Sequence, residues 1–395
     1  MYKTILFTIL LLLGISHLSY SQLAEVPEKT DNESNNLSLN GEWFFNPVFK
    51  NSYYGMKDAN NSWKGINVPG QWLMQGFEVK PGKQAAYFRK FNVPADWKNS
   101  TVYLRCDAVF SKADVWVNGK NAGGHTGPMV AFEKDVTDLV KFGKTNRIVM
   151  GIVSETMADT LMSGTQYAAH QLGGILRKIY LYAVPKVHLA DLSVQTNFDK
   201  DFINAELKIN GTIINNGKAK KALVTVFLSD FNGNNIPLKD NQTNIQVNGD
   251  KSKNINLVFD VKNPLKWDAE HPNLYQLKIT VKSDAGEEKI KKIIGFREIE
   301  VVGNQLFVNG KVIKLKGVNR HEAHPLRGRS LTPELWKKDA ELYKAANVNY
   351  IRTSHYPPSE EFIEWCDKIG LYVELENPLS WVGHGANAHW KKNNP

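Results

Sequence analysis

The sequence predicts a multidomain chain: an all-β jelly-roll sandwich, then an immunoglobulin-like β-sandwich, then the start of an α/β TIM barrel. Three observations predict it. Residues 37–185 read as short alternating strands broken by Gly, Pro and Asn. Residues 186–302 repeat that pattern over a length close to the roughly 100 residues of one immunoglobulin-like sandwich. From 303 to 395 the order becomes strand, helix, strand, helix, strand. At 395 residues, 42% hydrophobic and 23% charged, the chain is long enough to build several cores.

The elements follow in order. Residues 1–21 have a basic start at Lys3, an apolar run from Ile5 to Ile15, and small residues Ser19 and Ser21 ahead of Gln22, which is the pattern of a secretory signal peptide cleaved after Ser21. The run is shorter than the roughly 20 residues that span a bilayer, and no cysteine follows it to carry a lipid. A periplasmic or secreted protein with no membrane attachment after cleavage is expected. Residues 22–36 form a polar leader.

In 37–185, "STVYLRCDAVFSKADVWVNGK" and "NRIVMGIV" alternate apolar and polar residues, and Asn118-Gly119 closes a hairpin. In 186–302, "AELKINGTIINNGKAKKALVTVFLSD", "NINLVFDV" and "YQLKITVKSD" are the clearest strands; the Cys-Trp-Cys pattern of antibody domains is absent. Then "KVIKLKGVN" is a strand, and "TPELWKKDAELYKAAN" is a helix with Thr332 as N-cap, Pro333 at its first position and Glu334 in its first turn. Leu335, Leu342, Tyr343 and Ala346 are expected on its buried face. "VNYIRTSH" is a strand, "SEEFIEWCDKIG" a helix from Ser359 to Gly370, and "LYVELE" a strand. This makes about three of the eight strands of a complete barrel.

Composition narrows the function classes. The net charge of +9 comes from scattered lysines, and the densest runs, Lys218–Lys221 and Lys289–Lys292, fall in turn or strand contexts, so no nucleic-acid partner is expected. Cys106 and Cys366 lie in different domains within apolar patterns and read as buried thiols.

Residues at the carboxyl ends of barrel strands face the active-site mouth. Here those ends read "GVNRHEAHP", "IRTSHYP" and "ELENP". Asn319, Arg320, His321 and Glu322 follow the first strand and Arg352 and His355 close the second, a set of donors and acceptors suited to a ligand rich in hydroxyl groups. Taken singly, Arg352 reads equally as an internal ion pair with Glu374 or Glu376, and His355 as a packed histidine. "HEAH" at His321–His324 is not the H-E-x-x-H of a zinc protease helix, because its second histidine comes one residue early and Pro325 blocks the helix. No metal site or cofactor is therefore expected, with a structural or pocket divalent cation left open.

The stretch from "LKGVNRHEAHP" through "NYIRTSHYPP" to "CDKIGLYVELE" resembles the start of the catalytic barrel of glycoside hydrolase family 2, the family of bacterial β-galactosidases and β-glucuronidases. Upstream, "VPGQWLMQGF", "DVWVNGKNAGGHTGPMVAFEKDVTDLV" and "LGGILRKIYL" resemble its sugar-binding jelly roll, and "NPLKWDAEHPNLYQLKITV" its immunoglobulin-like domain. The resemblance covers nearly everything after the signal peptide.

It implies an exported, retaining exo-β-glycosidase acting on an oligosaccharide or glycoside, with assembly into a homo-oligomer left open. It places His321, Arg352, His355 and Glu376 around the terminal sugar, with Gln166 and His170 of "SGTQYAAHQLGG" as further candidates. The family's acid/base and nucleophile glutamates lie on later barrel strands, the first in an Asn-Glu motif. They are expected beyond residue 395, so this chain alone is expected to be truncated and inactive; the one Asn-Glu pair, Asn32-Glu33, lies in the leader. Glu376-x-Pro378 is more like the metal-independent glucuronidases of the family than its magnesium-binding galactosidases, while His384 is a candidate cation ligand. Glu374 replaces an expected apolar residue. The alternative function is a non-catalytic carbohydrate-binding or scaffold protein.

Overall fold

The computed structural model describes residues 35–379 other than 169, 220 and 250. The expected signal peptide, most of the expected leader, Asn32-Glu33 and His384 lie outside the described residues.

The first domain is a two-sheet sandwich. A six-stranded sheet runs in the order 64–68, 41–46, 84–92, 145–153, 112–117 and 120–126, and a four-stranded sheet in the order 36–38, 179–184, 101–106 and 132–135. Alternation fixes which side chains lie between them. In "TNRIVMGIV", Ile148, Met150 and Ile152 point into a core with Trp43, Phe45 and Tyr87, while Val149 points to the opposite face, under a second cluster with Trp63 and Phe88. Asn118 and Gly119 take φ of 53° and 84°, the left-handed pair that a two-residue hairpin turn requires. Cys106 belongs to this core and Cys366 to the barrel's, both as free thiols whose pKa burial raises.

The second domain packs a three-stranded sheet (187–198, 205–215, 251–261) on a five-stranded one (221–230, 235–236, 242–246, 275–283, 286–294). Leu207, Ile209 and Ile213 face Val224, Val226, Ile279 and Val281 across the core. Ile299–Val302 then pairs with Gln305–Val308, so the expected boundary between 302 and 303 runs through the turn of one hairpin.

The third domain supplies β1 (Gly317–Arg320), α1 (Pro333–Ala345), β2 (Tyr350–Thr353), α2 (Glu360–Ile369) and β3 (Tyr372–Glu374), with the three strands parallel. Val318, Ile351 and Val373 pack outward against Trp336, Ala340, Phe362 and Cys366 of the helices. The expected buried face of α1 holds for Leu335 and Tyr343, which pack against this core, and needs correction for the rest: Leu342 is 54% exposed and Ala346 is exposed, whereas Trp336 and Ala340 are buried. Positions 336, 340 and 343 follow helical spacing as well as the expected set does, and the large indole decides which face turns inward.

Both sandwiches grip this piece of barrel. From the second, Trp267 donates its indole N–H to the Asp367 carbonyl at 2.7 Å, and Lys344 bonds the Ala269 carbonyl at 2.5 Å. Gly370 ends α2 at φ +82°, where an added Cβ would lie 2.3 Å from the Ala269 oxygen, so the position calls for glycine on both counts.

Candidate functional site

Register places Asn319, Arg352 and Glu374 side by side on the inner face of the sheet, opposite the helices. Because side chains alternate along a strand, Asn319 and His321 share one direction and Arg320 and Glu322 the other. This divides the expected polar set in two.

The inward group forms the site. Arg352 donates to Glu376 Oε1 at 2.8 Å and to Asn319 Oδ1 at 3.3 Å, and the His355 Nδ1 lies 3.3 Å from both Glu376 oxygens. His321 meets His355 edge to face, with ring centroids 5.1 Å apart. The structure thus brings together all four expected residues, His321, Arg352, His355 and Glu376. Arg352 is also the ion pair that its residue type alone allowed, with Glu376 as the partner; Glu374 instead accepts the Tyr350 hydroxyl, which accounts for a carboxylate where an apolar residue was expected. Partial burial, followed by the positive charge of Arg329, lowers the pKa of His321, so this imidazole is neutral at pH 7.

The outward group holds the site in place. Arg320 and Glu322, expected to face a ligand, are both 2% exposed and buried behind the sheet. Arg320 donates twice to Asp339 of α1, at 2.7 and 3.0 Å, and its guanidinium stacks 3.9 Å over the Phe362 ring. Glu322 pairs at 2.7 Å with Arg177, which arrives from the jelly roll and also bonds the carbonyls of Pro357 and Pro358 at 2.8 and 3.1 Å. Burial alone would raise the Glu322 carboxyl, but the Arg177 and Arg320 charges outweigh it and hold its pKa below the usual value. Arg329 bonds the Glu322 carbonyl at 3.1 Å and reaches the Tyr356 hydroxyl at 3.4 Å.

In "HEAH" the two histidines diverge: His321 turns to His355, while His324 Nδ1 accepts the Leu326 N–H at 3.2 Å. Among the described residues no group of three His, Cys, Asp or Glu is placed to hold a metal ion.

The jelly-roll segment "SGTQYAAHQLGG" does reach the site, but through a residue the sequence reading passed over. Gln166 is exposed, and the Nδ1 of His170 is buried with no partner among the described residues. The contact comes from Tyr167, whose ring centroid lies 4.8 Å from that of His355 and 6.2 Å from that of His321.

Comparisons with known proteins agree with this architecture. Three family descriptions match in succession: "Glycosyl hydrolases family 2, sugar binding domain" over 79–185, "Glycosyl hydrolases family 2" over 187–297, and "Glycosyl hydrolases family 2, TIM barrel domain" over 299–395. A β-galactosidase of Priestia megaterium is 30% identical over 94% of this chain and 40% of its own length. One from Clostridium acetobutylicum is 30% identical over 90% of this chain and 41% of its own. The crystal structure of a Bacteroides uniformis β-glucuronidase superposes with a TM-score of 0.79 at 26% identity, covering 87% of this chain and 42% of that one. The chain spans less than half the length of each of these proteins.

Proposed function

Because the chain belongs to glycoside hydrolase family 2, we propose that it forms the sugar-holding part of an exported β-glycosidase acting on β-galactosides or β-glucuronides. The observation that carries the reading is the cluster of Arg352, Glu376, His355 and His321 at the carboxyl ends of three parallel strands. A guanidinium, a carboxylate and the His355 imidazole at 2.8–3.3 Å spacing, with the His321 ring beside them, can replace water around the hydroxyls of a terminal sugar.

On this reading Arg352 and Glu376 form a donor–acceptor pair for adjacent hydroxyls, and the neutral His321 donates or accepts according to its tautomer. Bond cleavage with retention uses two carboxyl groups about 5 Å apart, one protonating the leaving oxygen and the other attacking the sugar. Those groups belong, on this reading, to later strands of the barrel. The described residues bind and orient. Export follows the pattern of residues 1–21 and leads to the periplasm or the medium.

The test is hydrolysis of aryl β-galactosides and β-glucuronides by the protein isolated from its source, with the anomer of the released sugar followed by NMR. Release of the β-anomer of one of these sugars supports the reading. Sugar binding without hydrolysis of either glycoside would replace it with the carbohydrate-binding alternative. A mature N-terminus other than Gln22 would remove the predicted cleavage site.

A further inference from the structure

The sugar-holding arrangement above leaves one group at the site without a task, the ring of Tyr167. It is 38% exposed, it packs against two imidazoles from another domain, and its hydroxyl bonds to no described residue. A half-exposed aromatic ring at the edge of an otherwise polar cluster gains little from water on its free side.

The backbone that carries it is fixed at several points. Gly164 is packed so tightly within the first domain that an added Cβ would be 2.3 Å from the Met162 methyl and 2.9 Å from the Phe110 ring. The Thr165 N–H donates to the buried Asp159 carboxylate at 3.0 Å. Ala168 packs on a cluster that joins Phe110, Met129 and Met162 of the jelly roll to Tyr356 of the barrel. Tyr167 projects from this anchored turn toward the ends of β1 and β2.

A pyranose ring has polar edges, where its hydroxyls lie, and a face made of C–H groups. His321, His355, Arg352 and Glu376 offer partners to the edges, and Tyr167 offers an apolar plane to the face. We infer that Tyr167 is the sugar-stacking residue of this site, through which the jelly-roll domain takes part in selecting a terminal pyranose. The inference rests on the glycosidase reading and adds to it a specific contact from a different domain.

The test uses the protein from its source and two probes, methyl β-galactopyranoside and methyl β-glucopyranosiduronate, with Kd measured for each and saturation-transfer NMR identifying the ligand protons that touch the protein. For the sugar that is bound, Tyr167→Ala is expected to raise Kd about tenfold. Tyr167→Phe and Tyr167→Trp should stay within about twofold of the unchanged protein, because the plane and not the hydroxyl makes the contact. Saturation should fall mainly on the C–H protons of one face. Unchanged Kd in Tyr167→Ala, failure of Phe to restore binding, or binding of neither probe overturns the inference. Hydrolysis is scored separately: a protein that binds sugar through Tyr167 but cleaves neither glycoside fails the glycosidase reading and keeps this one.

Discussion

Arg177→Met removes the buried cation with which the jelly roll pairs Glu322 behind the site. In the folded chain Arg177 is 5% exposed and Glu322 2%, so the lost charge is not replaced by water. Breaking a buried ion pair from one side costs about 3–5 kcal/mol, because the remaining charge is left uncompensated. Arg320 Nη1 lies 3.5 Å from the other Glu322 oxygen and retains part of the compensation, which places the expectation near the lower end, about 3 kcal/mol. The carbonyls of Pro357 and Pro358 lose their donors as well, so hydrogen exchange at Ser359, whose N–H faces Glu322 at 3.4 Å, should accelerate. The assay is urea unfolding followed by tryptophan fluorescence, completed as a cycle with Glu322→Gln and the double variant. A coupling of at least ~1.5 kcal/mol is expected between the two sites. A loss below about 1 kcal/mol in Arg177→Met, or additivity in the cycle, would refute the argument that this pair ties the two domains together.

Three further outcomes follow from the structure. Burial raises the Glu288 carboxyl from 4.5 to about 7, so between those values the folded protein holds a proton that the unfolded chain has released. Stability should therefore fall as pH rises from 4.5 to 7, by up to about 3 kcal/mol, and Glu288→Gln should flatten that slope in unfolding curves measured across the range. Gly370→Ala puts a Cβ into the Ala269 carbonyl at φ +82° and should cost about 2–3 kcal/mol, read as a lower urea midpoint; a change within about 0.5 kcal/mol would remove the requirement for glycine there. On the proposed reading, Arg352→Ala should weaken sugar binding by about 10- to 100-fold with little change in melting temperature, since Arg352 and Glu376 are both only partly buried and water can replace their ion pair; calorimetry against the bound sugar checks it.

Much of the fold was legible because its signals are local. Alternation in "NRIVMGIV", the Asn118-Gly119 turn and the Pro333 helix start each depend on a few neighbouring residues. That His321, Arg352 and His355 lie near one another was legible because strand ends in a parallel barrel converge, whereas Glu376 joined the set through the family resemblance. Arg320 and Glu322 were misread although the information was present: Arg320 shares its side of β1 with Val318, and a residue on the same side as a buried valine faces the helices. Tyr167 and Arg177 are a different case. Their roles arise only when the jelly roll docks on residues some 150 positions or more further along, and no periodicity carries that information. The buried face of α1 was read correctly at Leu335 and Tyr343 and wrongly at Leu342 and Ala346, because two overlapping stripes compete and only packing against Phe362 and Ile351 selects the one bearing Trp336.

The anchoring of Pro357 and Pro358 by Arg177 also bears on the order in which the molecule is made. A ribosome delivers the N-terminal sandwich first, at about 5–20 residues per second, and such domains fold as units as they emerge. Whether the chain folds as it is made or as it emerges from export, an N-terminal-first order sets Arg177 in place ahead of the segment after His355. The two proline carbonyls and the Glu322 carboxylate would then meet a guanidinium already fixed in a folded surface, since Arg177 bonds all three in the finished structure. In that order the first domain would serve as a template for the barrel, so a defect in the sandwich should reach the strand-end cluster by way of assembly even where it leaves Arg352, His355, His321 and Glu376 unchanged.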